Sequence, residues 1–188
     1  MNGAPSPPEP LRLLRSLSAA FAQGSAGLPV QAQPAPIETL IAFQLAGTRV
    51  LIDLAWLAEI LPLVPLTRVP QVQPWMRGIA NVRGKLLPVA DGAQFLGRAQ
   101  SPSKQQRILV IFSEEFSAGL IVDRVEGLRR FPHDAYVAPE ELAESPLRGY
   151  AVGGLCDPGQ GVVPLFQPAL LFRDPLFRDV ALRDPAPT

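Results

Sequence analysis

The chain has 188 residues, 47% of them apolar, enough for one domain of ordinary size with a substantial core. Its 17 basic and 17 acidic residues balance to a formal charge of zero, which argues against a nucleic-acid or anionic-membrane partner. A single cysteine, Cys156, excludes a disulfide framework within the chain, and a single histidine, His133, leaves too few ligands for an ordinary zinc site.

Residues 1–10 are polar and proline-rich, and Arg12 and Arg15 interrupt the apolar run that follows. Neither a secretory leader nor a membrane span is expected, and the protein is expected to be cytoplasmic. Leu11, Leu14, Leu17 and Phe21 recur at helical spacing and predict a short amphipathic helix. Such stripes usually pack on their own domain, and docking to a partner is the alternative. Residues 23–37 are rich in Gly, Pro, Gln and Ala and read as a linker, so 1–37 form a flexible extension.

From Glu38 the texture changes to short apolar runs separated by turn signals. Residues 40–45 and 49–54 read as strands around Ala46-Gly47-Thr48, and 79–83 and 86–89 as strands around Arg83-Gly84-Lys85. Gly84 supplies the positive φ that such a turn needs. A third pair, 107–112 and 118–122, flanks Ser113-Glu114-Glu115-Phe116, and a strand over 125–131 follows. A last pair, 149–155 and 161–165, flanks Asp157-Pro158-Gly159. Gly153-Gly154 suggests a bulge or tight bend rather than a ligand loop. Four prolines over 63–74 predict an extended connection. Helical candidates are brief: 56–61, 92–96, 139–144 and 168–172. Parallel α/β architecture needs a crossover helix between successive strands, so an all-β barrel or sandwich is predicted.

No catalytic constellation stands out. His133 sits in a loop sequence with nothing beside it to suggest an activated nucleophile. Glu114-Glu115 reads as a solvated pair, and Glu140, Glu141 and Glu144 as one face of a surface helix. No phosphate-cradling glycine loop is present, so no cofactor is expected. A small hydrolase using Asp91 and Asp123 is a weak alternative, since both aspartates sit where turns close at strand ends. Cys156, flanked by Leu155 and Asp157, is expected to be a small buried side chain.

Two stretches are specific. Residues 74–91 contain Asn81-Val82-Arg83-Gly84, then a strand ending Pro88-Val89-Ala90-Asp91. Residues 119–127 read Gly-Leu-Ile-Val-Asp-Arg-Val-Glu-Gly. With Leu57-Ala58-Glu59-Ile60 upstream, they occur in the order seen in the CheW family of chemosensory adaptors, which 38–173 resembles. The resemblance implies two small five-stranded β-barrels side by side with a shared apolar core, followed by a tail over 174–188. It also implies a non-enzymatic adaptor bridging the regulatory domain of a CheA-type histidine kinase to the cytoplasmic tip of chemoreceptors. The N-terminal leucines with Gly27-Leu28-Pro29, and the segment from Leu61 to Trp75, are similar to adaptors of type IV pilus twitching-motility systems. The sequence departs from the family pattern at Gly92, where most members carry Leu.

The resemblance assigns Leu57, Glu59 and Arg83 to receptor docking. Arg83, at a hairpin tip, can offer its five donors to a partner or act as an internal clamp. Leu57 can equally be core. Kinase docking falls on the second barrel, where Leu128 and Phe131 are candidates on a possible edge strand. Trp75 is expected to seal one barrel end rather than anchor an interface. A module sensing a small molecule between the barrels is the remaining alternative.

Overall fold

The computed structural model describes residues 37–99, 102–113, 116–142 and 145–182. The expected helix on Leu11, Leu14, Leu17 and Phe21 lies outside them, as do Glu114, Glu115, Glu144 and the last residues of the expected tail.

The apolar run in β1 (Ile37–Leu45) explains where the core lies. Leu40, Ile41, Ala42 and Phe43 are all buried, although successive strand side chains point to opposite faces, so both faces of β1 are covered. β2 (Thr48–Asp53) returns antiparallel. The turn between them puts Ala46 and Gly47 at φ 52° and 76°, the left-handed pair whose twist matches a two-residue hairpin. The Asp123 carboxylate accepts the Gly47 N–H at 2.8 Å, so this aspartate does close a turn.

The predicted helix over 56–61 is instead strand β3 (Leu57–Pro62). Asp53 caps a single 3₁₀ turn, Leu54–Trp56, by accepting the Ala55 N–H at 2.8 Å. The chain then extends along β6 (Arg107–Phe112), whose ladder satisfies its main chain in place of helical bonds. β4 (Met76–Val82) and β5 (Lys85–Asp91) form the second hairpin, and β7 (Ser117–Val122) pairs with β6. Five strands make one sheet in the order β3-β6-β7-β5-β4. β8 (Arg124–Pro132), β9 (Tyr136–Val137), β10 (Ala151–Asp157) and β11 (Gly161–Phe166) join the first hairpin in a six-stranded sheet ordered β8-β1-β2-β11-β10-β9. The sixth strand is the two-residue β9, which the sequence reading lacked. Each sheet holds one parallel pair, β5 with β7 and β2 with β11, among antiparallel neighbours.

The all-β prediction therefore holds, with two β subdomains and a few short helices. A register shift in β10 between Ala151 and Gly154 is the bulge expected at the paired glycines. Two residues along, strand alternation buries Leu155 and exposes Cys156, against the expectation of a buried thiol.

Three apolar clusters hold the domain. Ile41, Phe43, Leu45, Val50 and Ile52 from one sheet join Ala90, Leu109, Ile111, Leu120 and Val122 from the other in a shared core. Leu40, Ala42, Leu51, Phe131, Leu155 and Val163 form a second cluster within the six-stranded sheet. Ala80, Leu87, Val89, Ile108, Val110 and Ile121 form a third within the five-stranded one. Gly92 opens the helix Gly92–Phe95 against the shared core. A Cβ there would lie 2.6 Å from Leu45 Cδ1 and 3.1 Å from the Ile121 carbonyl oxygen, so a larger side chain would require the Leu45 side chain to shift.

The proline-rich connection runs extended and seals edges. Thr67 exchanges two 2.9 Å main-chain bonds with Ile79, covering the outer side of β4. Farther on, Gln73 donates to the Val180 carbonyl at 2.8 Å, and Leu182 donates to Gln71 at 2.9 Å. The chain beyond Arg173 is thus fastened to the first half. Its helix Pro175–Arg178 buries Phe177, which stacks on Trp75 at 5.3 Å.

Candidate functional site

β3 and β4 are the outermost strands of the five-stranded sheet, four strands apart in its order. Yet Arg83 Nη2, at the β4–β5 turn, donates to Glu59 Oε1 of β3 at 2.7 Å. The sheet therefore curves enough to bring the tip of the β4–β5 hairpin within side-chain reach of β3. Leu61 of β3 and Val82 of β4 pack on the same cluster beneath it. Arg83 stands at φ 52° and Gly84 at φ 82°, and the Asn81 side chain accepts the Gly84 N–H at 2.9 Å. This turn presents the guanidinium outward: the Arg83 side chain is 79% exposed, that of Glu59 30%.

Of the three residues assigned to receptor docking, Glu59 and Arg83 are therefore brought into contact. Leu57, on the same strand, is half-buried and packs against the shared core. A β-bulge between Leu57 and Glu59 separates their roles.

The two kinase-docking candidates diverge. They stand three residues apart on β8, so strand alternation sends them to opposite faces. Leu128 is 57% exposed on the outermost strand. Phe131 is 5% exposed and packs with Leu40, Leu51 and Leu155, so its assignment to a docking surface is corrected: it is core. Beside Leu128, the largely buried Glu126 takes Arg49 at 2.6 Å, with Arg124 at 3.5 Å and Arg129 at 4.0 Å.

Asp91 has a structural task. Its fully buried side chain caps the helix Gly92–Phe95 by accepting the Gln94 N–H at 3.1 Å, and Arg77 Nη1 lies 3.5 Å away. Burial pushes its carboxyl above the usual carboxylate range, against the lowering effects of the Gln94 bond and the Arg77 charge. Tyr150 donates to Asp174 Oδ2 at 2.5 Å; burial first, then this bond, raises the phenol far above its ordinary value. Among the described residues no group of three or more His, Cys, Asp or Glu could hold a metal ion. No helix among them is long and apolar enough to cross a membrane.

The sequence reading missed a groove of about 670 Å³ lined by Trp56, Met76, Phe116, Phe172, Phe177 and Arg178 among others. Its signal was a near-tandem repeat, Leu-Phe-Arg-Asp at 171–174 and again at 176–179, divided by Pro175. Trp75 packs with Phe95 and Phe177 behind it, against the core shared by the two sheets.

Comparison with known proteins agrees with this architecture. The CheW-like domain matches residues 39–175. Protein PilI from Pseudomonas aeruginosa is 37% identical over 141 residues, covering 73% of this chain and 79% of that protein. Protein FrzA from Myxococcus xanthus is 29% identical over 102 residues, covering 54% of this chain and 64% of its own length. The crystal structure of the scaffolding protein TtCheW from Thermoanaerobacter tengcongensis superposes with a TM-score of 0.62 at 23% identity. It covers 70% of this chain and 90% of that one, a likeness of fold. On the extent of the domain match and the identity to PilI, this chain belongs to the CheW-like domain family.

Proposed function

We propose that the chain is a cytoplasmic, non-catalytic adaptor that couples a CheA-type histidine kinase to chemoreceptors and acts on type IV pilus twitching motility. The observation that carries this reading is the CheW-like match over 39–175 together with 37% identity to PilI. The receptor contact is assigned to Glu59 and Arg83 with Leu57 supporting them, and the kinase contact to the exposed Leu128 face of β8. Outermost strands suit main-chain pairing with a partner, which supports β8 as that face.

The test is calorimetric titration of the full chain against the regulatory domain of the CheA-type kinase from the same genome. Saturable one-to-one binding, weakened at least roughly tenfold by Leu128→Glu, is expected, since an exposed apolar anchor replaced by a charge loses its contact. A folded protein that binds no such kinase overturns the adaptor reading. The groove lies within the size range of small-ligand pockets, so a saturable thermal stabilisation by a metabolite would then favour a sensor module.

A further inference from the structure

We propose that the aromatic groove is a binding site for a small planar anion, a flat aromatic ring that carries a phosphate or a carboxylate. This inference goes beyond the adaptor reading and does not depend on it.

Three observations carry it. The first is the floor. Trp56, Phe116, Phe172 and Phe177 bring aromatic surface to the groove from the turn before β3, the start of β7 and the C-terminal helices. Phe177 is buried and stacked on Trp75, so its ring is held in place. Phe172 meets Phe116 edge-on at 5.0 Å, and Phe116 stays 44% exposed, which leaves ring surface uncovered. Such surface favours a flat ring, which can stack on it or meet it edge to face. The Ser113 hydroxyl also lines the groove. It donates to the Phe116 carbonyl at 3.4 Å and keeps lone pairs that can accept from a ring N–H.

The second is where the charge stands. Each copy of Leu-Phe-Arg-Asp sets a guanidinium next to a ring, and Phe172, Arg173, Phe177 and Arg178 all line the groove. No aspartate or glutamate is in the lining. Asp174, beside Arg173, is turned to the Tyr150 hydroxyl and the Leu176 N–H. Both arginines are exposed, whereas Phe172 is half-buried and Phe177 buried, so charge stands at the mouth and rings lie below it. That order suits a ligand with an aromatic body and one anionic end, which a guanidinium grips in bidentate fashion.

The third is size and rigidity. About 670 Å³ is the volume of a pocket for a single small molecule. The Gln73 N–H donates to the Val180 carbonyl at 2.8 Å and the Leu182 N–H to the Gln71 carbonyl at 2.9 Å. These bonds fasten the wall that carries Phe177 and Arg178, so little ordering cost remains when a ligand enters.

The test is calorimetric titration of the full chain with four probes. AMP and indole-3-acetate join an aromatic ring to a phosphate and to a carboxylate; adenosine and inorganic phosphate are a ring and an anion taken separately. At least one of the two ring-bearing anions should bind saturably at one site, roughly tenfold or more tighter than adenosine or phosphate, and the better of the two tells phosphate from carboxylate. R173Q/R178Q should weaken that binding roughly tenfold or more and flatten its salt dependence. F116A, at an exposed ring outside the buried core, should weaken it as well. R98Q, an exposed site outside the groove, should leave it within about twofold. Thermal unfolding shows that each variant is folded. Binding that R173Q/R178Q leaves within about twofold puts the ligand elsewhere and overturns the inference. Equal binding of adenosine removes the anion from the argument and overturns it too, as does no saturable binding of either anion up to about 1 mM. None of these titrations involves kinase or receptor, so each outcome leaves the adaptor reading to its own test.

Discussion

The pair formed by Glu59 and Arg83 can be a clamp between β3 and the β4–β5 turn, a receptor contact, or both, and a charge swap separates these roles. As a clamp it contributes little. The nitrogen–oxygen distance is 2.7 Å, but the arginine side chain is 79% exposed and the glutamate 30%, so solvent screens the attraction. Such pairs contribute about 0.2–1 kcal/mol. Arg83→Glu should cost no more than about 1 kcal/mol, or roughly 2–4 °C in Tm for a domain of this size. Backbone strain does not enter, because arginine and glutamate meet the same penalty at φ 52°. Binding is a different matter. A guanidinium that docks on a receptor carboxylate loses that bond on reversal and meets repulsion instead, for at least a tenfold loss, about 1.4 kcal/mol. The swapped variant E59R/R83E restores the ion pair with opposite polarity. We expect it to regain stability in urea unfolding but to remain at least roughly tenfold weaker for the purified cytoplasmic fragment of the receptor by calorimetry. Full recovery of binding by the swap, or no loss in R83E alone, would refute direct docking through Arg83.

Three further outcomes follow from the packing. Phe177→Ala removes a buried ring lying between Trp75, Phe95 and Phe172, and should cost about 3–5 kcal/mol in urea unfolding followed by tryptophan fluorescence; a loss below about 1 kcal/mol would show that the C-terminal helix is not part of the core. Tyr150→Phe keeps the ring but deprives Asp174 of its hydroxyl donor, and should cost about 1.5–3 kcal/mol, the usual worth of a bond to a charged acceptor, with an unchanged m-value. For Asp91, burial holds the folded-state carboxyl above its ordinary value of 3.8. The folded protein thus binds this proton more tightly than the unfolded chain, a stabilisation present below 3.8 and lost as pH rises through the folded value. Asn at this position mimics the protonated form and still caps the helix. The Tm of Asp91→Asn minus that of wild type should therefore climb from pH 3 to pH 7, and a flat or falling difference contradicts the burial argument.

How much could be read without coordinates depended on whether a signal was local. Ala46-Gly47 and Arg83-Gly84 fix their hairpins through turn geometry alone, and the apolar runs beside them are long enough to be strands whatever their neighbours. The segment Leu57–Pro62 was misread because its apolar spacing fits either a helix or a strand, and only the offered edge of β6, about fifty residues on, decides. Phe131 was misplaced for want of register: calling β8 a strand does not say which face is covered until its pairing with β1 is known. Cys156 failed in the same way. The meeting of Glu59 with Arg83 was out of reach, since it depends on the curl of a whole sheet. The groove had a local sign in its repeated Leu-Phe-Arg-Asp, but the repeat acquires meaning only where Phe177 finds Trp75.

The two proposed contacts also differ in where they are anchored, and that has a consequence for how an adaptor of this build transmits. Arg83 and Glu59 belong to the five-stranded sheet, and Leu128 to the outermost strand of the six-stranded one. Between them lies the shared core, drawn from both sheets and closed by Phe166, Leu171 and Phe177. A core packed to that degree resists graded deformation, and neither contact shares a side-chain partner with the other. Substitutions at such sites add, to within about 0.5 kcal/mol. Leu128→Glu should therefore leave receptor affinity within about twofold, Arg83→Glu should leave kinase affinity equally unmoved, and the double variant should show the sum of both losses. On that outcome the chain couples its partners by holding them in a fixed spatial relation, and signal passes between them as relative position. A several-fold change in receptor affinity caused by Leu128→Glu would instead mean that the shared core has two arrangements, and that the adaptor itself switches.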